Sequence, residues 1–336
     1  MKRSKTPKQR GPVLLPITLI FLSLLVVAAQ PAVAIQPGDC FVIADEFNDN
    51  LGQINSSTGE IFRWLGQVVP GGGENLAIDP ETLTLYNVAG EGGETALIII
   101  DPDTANTTII NNDTGLWDVD GLAFAPDGIL YAVSKDQKWD DKPGNLSIVD
   151  KNTGDVTFVV ELKNPSPIPP DFLGADPHVD GISFHPTTGI LYGIIGGYAK
   201  PSYLVTINMT TGTLTLVGGV GNISGSTGVD DIEDICFCAD GTLYGTLGDQ
   251  GALGSNASGS FEGLVTINLE TAEATAVGPF DTSNPGPNLD VEAFACAVSS
   301  PFNPPKTTEK LPAFNLFGLI ALIGLLSAVA FTRIRR

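Results

Sequence analysis

Acidic residues recur in this chain at one point of a repeated local pattern. The segments are Gly73-Glu74-Asn75-Leu76, Val119-Asp120-Gly121-Leu122, Val179-Asp180-Gly181-Ile182, Ile232-Glu233-Asp234-Ile235 and Val291-Glu292-Ala293-Phe294. Each acid stands two positions before the first core residue of an apolar run. Two positions before each acid stands Gly72, Asp118, His178, Asp231 or Asp290, a second set at the same spacing. If equivalent positions meet around one axis, they form two rungs of carboxylates at a single opening. Each close like-charge pair there costs on the order of 1–4 kcal/mol. Such a ring persists only if several members hold protons or a cation sits among them. Oxygen ligands in that number suit a hard cation, Ca²⁺ first and Mg²⁺ second. An acid at a strand entry has another use, accepting backbone N–H bonds and tying neighbouring elements together. The residues leave both uses open.

Other catalytic material is scarce. The chain has two histidines. His178 lies in the second rung, where it can serve as base or ligand. With Asp180 it forms the candidate catalytic pair. His185 falls at a predicted turn and is expected to be exposed. No Gly-x-Ser-x-Gly elbow, phosphate loop or His-Glu-x-x-His is present. A second oxygen-rich segment, Asp45-Glu46-Phe47-Asn48-Asp49-Asn50, lacks the full spacing of an EF-hand loop.

The elements that must position these acids are strands. Gly121-Leu-Ala-Phe-Ala-Pro-Asp-Gly-Ile-Leu-Tyr131 aligns with Gly181-Ile-Ser-Phe-His-Pro-Thr-Thr-Gly-Ile-Leu-Tyr192. Asp234-Ile-Cys-Phe-Cys-Ala-Asp-Gly-Thr-Leu-Tyr244 and the stretch Asn75 to Tyr86 align with both. Each is a short apolar run, a turn, then a Leu-Tyr pair opening a second run, which is a β-hairpin pattern. A second hairpin follows, as in Leu204-Val-Thr-Ile-Asn-Met-Thr-Thr-Gly212-Thr-Leu-Thr. Four antiparallel strands, A to D, at a period of about 46–60 residues predict a β-propeller. The segment at Glu292 supplies an A strand with no successors. The segments at Phe41, Leu51 and Ile61 supply B, C and D with no A strand. The two ends therefore complete each other, and the count is five blades, with six the alternative if a long loop hides another.

Cys296 takes the A-strand position of Phe124, Phe184 and Phe237, and Cys40 the B-strand position of Leu130. Those positions face each other across a hairpin, so a Cys40–Cys296 disulfide is expected to staple the ring. Cys236 and Cys238 are left as a close pair or as buried thiols. No zinc pattern surrounds them.

The ends differ from the middle. Residues 1–34 carry a basic start, an apolar stretch from Val13 to Ala29 and Ala32-Val33-Ala34, the layout of a secretory signal peptide. Residues 35–299 hold the propeller and 300–312 a Pro-rich stalk. Residues 313–336 hold an apolar span followed by Arg333, Arg335 and Arg336, long enough to cross a bilayer with its basic end inside. This tail resembles the tripartite sorting tails of prokaryotic surface proteins. Those tails can be cut and replaced by another attachment.

Between its two basic ends the chain holds nine Lys and Arg against 38 Asp and Glu, a net charge of −29. That field repels nucleic acid and anionic lipid and attracts cations. Arg63 is the only arginine in this part, which argues against phosphate chemistry. Seven Asn-x-Ser/Thr sequons, at Asn55, Asn106, Asn112, Asn145, Asn208, Asn222 and Asn256, suggest a glycosylated surface protein.

Over residues 40–298 the repeat resembles secreted propellers of the gluconolactonase-like and NHL-like class, through Gly-h-x-Phe-x-Pro-x-x-Gly-x-Leu-Tyr (h, apolar). The resemblance implies the fold. Calcium-dependent lactonases among these proteins place acidic and amide ligands where inner strands enter the channel. The matching positions here are Glu74, Asp120, Asp180, Glu233 and Glu292. Those enzymes have six blades and mix acids with Asn, where this chain has five uniformly acidic positions.

Two functions follow as expectations. The first is a monomeric binding module on the cell surface, anchored in the membrane by its C-terminal helix. It would be stabilised by calcium and would contact an extracellular glycan, protein or small molecule. The second is a metal-dependent hydrolase or lyase in which His178 assists a metal on the acidic ring. Loops near the same mouth, with Trp117, Trp139 and Tyr198, offer stacking faces for a sugar or packing for the loops themselves.

Overall fold

A computed structural model describes residues 34–44, 49–71, 73–90, 93–135, 143–165, 178–195, 202–220, 232–247, 262–281 and 289–298. Three strands come first, β1 (Cys40–Ala44), β2 (Asn50–Ile54) and β3 (Ile61–Gln67). Blade one follows as β4 (Ala77–Ile78), β5 (Leu85–Ala89), β6 (Ala96–Ile100) and β7 (Thr107–Asn111). Blade two is β8 (Trp117–Phe124), β9 (Leu130–Lys135), β10 (Asn145–Val149) and β11 (Val156–Glu161). Blade three is β12 (Val179–Phe184), β13 (Leu191–Ile195), β14 (Tyr203–Ile207) and β15 (Leu214–Gly219). Blade four is β16 (Ile232–Phe237), β17 (Leu243–Leu247), β18 (Gly263–Ile267) and β19 (Ala274–Pro279). The last strand, β20 (Val291–Cys296), pairs with β1, so blade five reads β20-β1-β2-β3. The described residues thus form five four-stranded antiparallel sheets, not six, closed by one C-terminal and three N-terminal strands.

The inner strands β4, β8, β12, β16 and β20 pack on one another in that order, and β20 returns to β4. All five line one axial cavity of about 40 Å³, through Ile78, Phe124, Phe184, Phe237 and Cys296 among others. Apolar clusters fill the seams between blades. The repeated Leu-Tyr pair explains three of them. Tyr86 packs edge-on to Phe124, Tyr131 tilts on Phe184, and Tyr192 packs edge-on to Phe237, with centroids 5.3–5.4 Å apart. Each contact joins a B strand to the A strand of the next blade. Edge-on and tilted pairs match the charge distribution of the rings.

The turns are set by short polar side chains. Asp101, Asp150, Asn208 and Asn268 each accept a backbone N–H two residues on, closing the C–D turn of one blade. His185, expected to be exposed, does the same work in blade three. It is half-buried, its Nδ1 accepts the amides of Thr187 and Thr188, and its ring lies 5.0 Å from Phe237. A half-hydrophobic ring with an acceptor nitrogen fills both roles. The Cys40–Cys296 disulfide is present between paired residues of β1 and β20. Cys236 and Cys238 are both buried thiols. The expected signal peptide, stalk and C-terminal span lie outside the described residues, as does Asp45-Glu46-Phe47-Asn48.

Candidate functional site at the acidic mouth

Each ring acid sits where the ladder breaks. In β20, Val291 pairs with Ala44 and Ala293 with Ile43, so Glu292 is the extra residue of a bulge. In β12 the register shifts between Val179 and Ile182, across Asp180. In β16 it shifts between Ile232 and Ile235, across Glu233. In β8 it shifts twice, leaving Asp118 and Asp120 both without a cross-strand partner. In blade one the pairing starts only at Ala77, after Glu74. A bulge releases one residue from the sheet and re-aims its side chain. Asp118 adopts φ 50°, a left-handed conformation that Asp tolerates better than most side chains. Of the second rung, Asp118, His178 and Asp290 are placed, while Gly72 and Asp231 lie outside the described residues.

The charges of blades one to three act on one another. Asp120 is 4% exposed, and no hydrogen bond reaches Oδ1 or Oδ2 among the described residues. The Lys135 Nζ stands 3.2 Å from Asp120 Oδ1 and 3.0 Å from Asp118 Oδ2. Burial pushes the Asp120 carboxyl well above its ordinary range. Lys135 opposes that shift, while Glu74, Asp180 and Asp118 add to it. Burial alone would depress the Lys135 ammonium, but Asp120, Asp118 and Glu74 outweigh it and raise its pKa. Four carboxylates from three inner strands or their entries therefore share one field, with one lysine among them. Glu233 and Glu292 hold the equivalent half-buried bulge positions on β16 and β20.

The sequence reading missed Lys135. It is one of few cations in an acidic chain, and it ends the strand paired to β8. That placement was the available signal. Lys135→Met is expected to destabilise the cation-free protein by about 3 kcal/mol, because it strands the carboxylates of Asp118 and Asp120. Urea denaturation of the wild type and the variant measures this.

A second missed feature is the residue directly after the acid. Asn75 Nδ2 donates to Val88 O in its own blade and to Val119 O in blade two, at 3.0 and 2.8 Å. Asp234 is 3% exposed. Its Oδ1 accepts the Ile235 amide and its Oδ2 the Phe294 amide of blade five, both at 2.8 Å. Gly181 occupies this position in blade three. A Cβ there would lie 2.4 Å from Asp234 Oδ1 and 2.8 Å from Asp234 Cα, so only glycine lets the blades approach. The tie between blades thus falls on this position in blades one and four. Burial pushes the Asp234 carboxyl well above its ordinary range, against the two amides that bond it.

No protein-family model matches the sequence, and no curated protein matches it. Solved structures do. One is a chain in the nidogen/laminin complex, at TM-score 0.48 and 11% identity, covering 78% of this chain and 98% of that one. Another is a gluconolactonase from Xanthomonas campestris, at TM-score 0.39 and 13% identity, covering 73% and 77%. A third is TolB from Acinetobacter baumannii, at TM-score 0.42 and 13% identity, covering 75% of this chain and 56% of that one. All three TM-scores lie below 0.5, and the β-propeller fold rests on the chain's own five sheets.

Trp117 is half-buried and packs over Gly93, where a Cβ would lie 2.9 Å from its ring. Trp139, Tyr198 and most of the long loops near the mouth lie outside the described residues. His178 is 5% exposed.

Proposed function

We propose that this chain is a surface-anchored binding module whose channel mouth holds a hard cation, Ca²⁺ before Mg²⁺. The observation that carries the reading is Asp120. A buried carboxylate with no hydrogen bond to either oxygen is costly unless a charge compensates it. Lys135 stands near one of its oxygens and is shared with Asp118. Glu74 and Asp180 add further negative charge at the same place. Asp120, Glu74 and Asp180 are the residues that would ligate the ion, with Glu233 and Glu292 completing the ring. Carboxylate oxygens are the donors that calcium prefers.

The propeller fold suits presentation of a rigid face to a partner, and loops over such a scaffold usually carry binding. The proposed partner is an extracellular glycan, protein or small molecule. The signal-peptide pattern of residues 1–34, the apolar span of 313–336 and the sequons support a glycosylated, C-terminally anchored monomer outside the cell. A hydrolytic reading would rest on His178 and Asp180. The binding reading is preferred because His178 is the one histidine in the rungs and is buried.

Calcium titration of chelator-treated protein tests the proposal, followed by calorimetry and by melting. Saturation at about a hundredfold excess over Kd should add about 2.7 kcal/mol. No heat of binding and an unchanged melting temperature would end it.

A further inference from the structure

All four cysteines of the chain gather at the seam between blades four and five. Cys40 and Cys296 are bonded. The Cys238 sulfur lies 2.7 Å from Cys296 Sγ and 3.6 Å from Cys40 Sγ, and all three residues are buried. Cys236 is differently engaged, its sulfur accepting the Cys296 amide at 2.9 Å.

The repeat itself produces this contact. In blade three the residue after the A-strand Phe is His185, and it lies over Phe237, the A-strand Phe of blade four. One blade further on, the residue after Phe237 is Cys238, and the A-strand position it covers is Cys296. The same geometry that lays an imidazole on a ring lays a thiol on a disulfide.

We propose that Cys296 has two disulfide partners, Cys40 and Cys238, and that the bond passes between them inside the folded protein. Cys238 stands side-on to the Cys40–Cys296 bond, so its side chain first turns into line with that bond, and its thiolate then attacks Cys296 Sγ. The Cys238–Cys296 bond forms, the Cys40–Cys296 bond breaks, and Cys40 leaves as a thiolate that takes up the proton Cys238 gave. No oxidant or reductant is consumed. Before exchange the bond ties the N-terminal strand β1 to β20 within blade five. After exchange it ties β20 to the turn of blade four, and β1 is held by its hydrogen bonds alone. The exchange therefore moves the covalent closure of the ring from inside a blade to the seam between blades.

Around Cys238 stand Cys236 on β16, Asp240 in the following turn and Tyr244 on β17. Burial pushes the Cys238 thiol up, and Cys236 and Asp240 add to this. Exchange is accordingly slow near neutrality and quickens with alkali, as the thiolate fraction rises.

The test is disulfide mapping of the full chain. Wild-type protein is held without oxidant at about pH 8.5, then alkylated in denaturant. A Cys238–Cys296 peptide is expected, with Cys40 labelled to the same extent and Cys236 labelled throughout. In Cys238→Ser, Cys40 should stay unlabelled. A wild type whose only cross-link remains Cys40–Cys296 overturns the proposal. A second arm uses Cys40→Ser oxidised with glutathione disulfide. Cys238–Cys296 should form and leave Cys236 alone to be labelled. Labelling of all three cysteines, or a bond to Cys236, overturns it as well.

Discussion

Asp120→Asn will raise the melting temperature of the cation-free protein and abolish the rise proposed for the wild type on adding calcium. The two effects have one cause. In the wild type a buried carboxylate lies among Glu74, Asp118 and Asp180 with Lys135 as its near cation. An amide of the same shape removes a charge that the fold pays to bury, so the cation-free state gains. The same change deletes an oxygen of the proposed calcium site with its charge, so the gain expected from calcium, about 2.7 kcal/mol at a hundredfold excess over Kd, is lost. In melting temperature that loss is roughly 5–10 °C for a domain of this size. A site that lowers stability until its ligand arrives is the expected signature of function. A stabilised variant that still responds fully to calcium would put the ion elsewhere. A variant destabilised without calcium would show that Asp120 serves the fold.

The same carboxyl sets a pH dependence. Its folded pKa is raised, chiefly by burial. Its contribution is therefore fully present below the ordinary value near 3.8 and fades as pH climbs through the raised folded value. Asp234 acts in the same direction. Asp79 acts in the other. Burial pushes its carboxyl up, but Lys151 at 2.6 Å, the Glu81 amide and Thr82 together hold it below the ordinary range. Its contribution is lost only as pH falls below about 3.8. Melting of the cation-free protein across mildly acidic to alkaline pH should decline, and Asp120→Asn should flatten the decline.

Asp234→Ala is expected to cost about 4 kcal/mol, the largest loss from any single polar side chain named here. Two buried amides, those of Ile235 and Phe294, lose their acceptors, and each orphaned donor costs about 1–3 kcal/mol. The loss falls at the seam between blades four and five, beside the Cys40–Cys296 bond that staples the two ends of the chain within blade five. The chain should therefore unfold at lower denaturant with its disulfide intact. Asp234→Asn should lose about half as much, since its amide oxygen still accepts one bond while its NH₂ faces the other donor. The midpoint of guanidinium unfolding measures both. A loss below about 1 kcal/mol for Asp234→Ala would mean that water replaces the carboxylate at little cost.

The architecture was legible in the residues because its signals are local. Apolar runs, turn residues and the Leu-Tyr pair specify strands and hairpins within a dozen positions, and their repetition counts the blades. Even the closure could be read, since an unpaired A strand at one end and unpaired B, C and D strands at the other have only each other. The disulfide followed because Cys40 and Cys296 stand in repeat positions that face one another. What the residues could not supply depends on juxtaposition between blades. The bulges that free Asp180, Glu233 and Glu292 are set by pairing with another strand, and no composition marks them. The role of Lys135 follows only from the register of β8 and β9, which places it beside Asp118 and Asp120. Asn75 and Asp234, one step past the acids, tie the ring, because each also bonds a backbone group of the next blade. Cys238 looked idle until that same step from blade to blade laid it on Cys296. Strand periodicity is a property of the chain. Charge balance, bonds across a seam and contact between sulfurs are properties of the closed wheel, where residues far apart in sequence first come within reach.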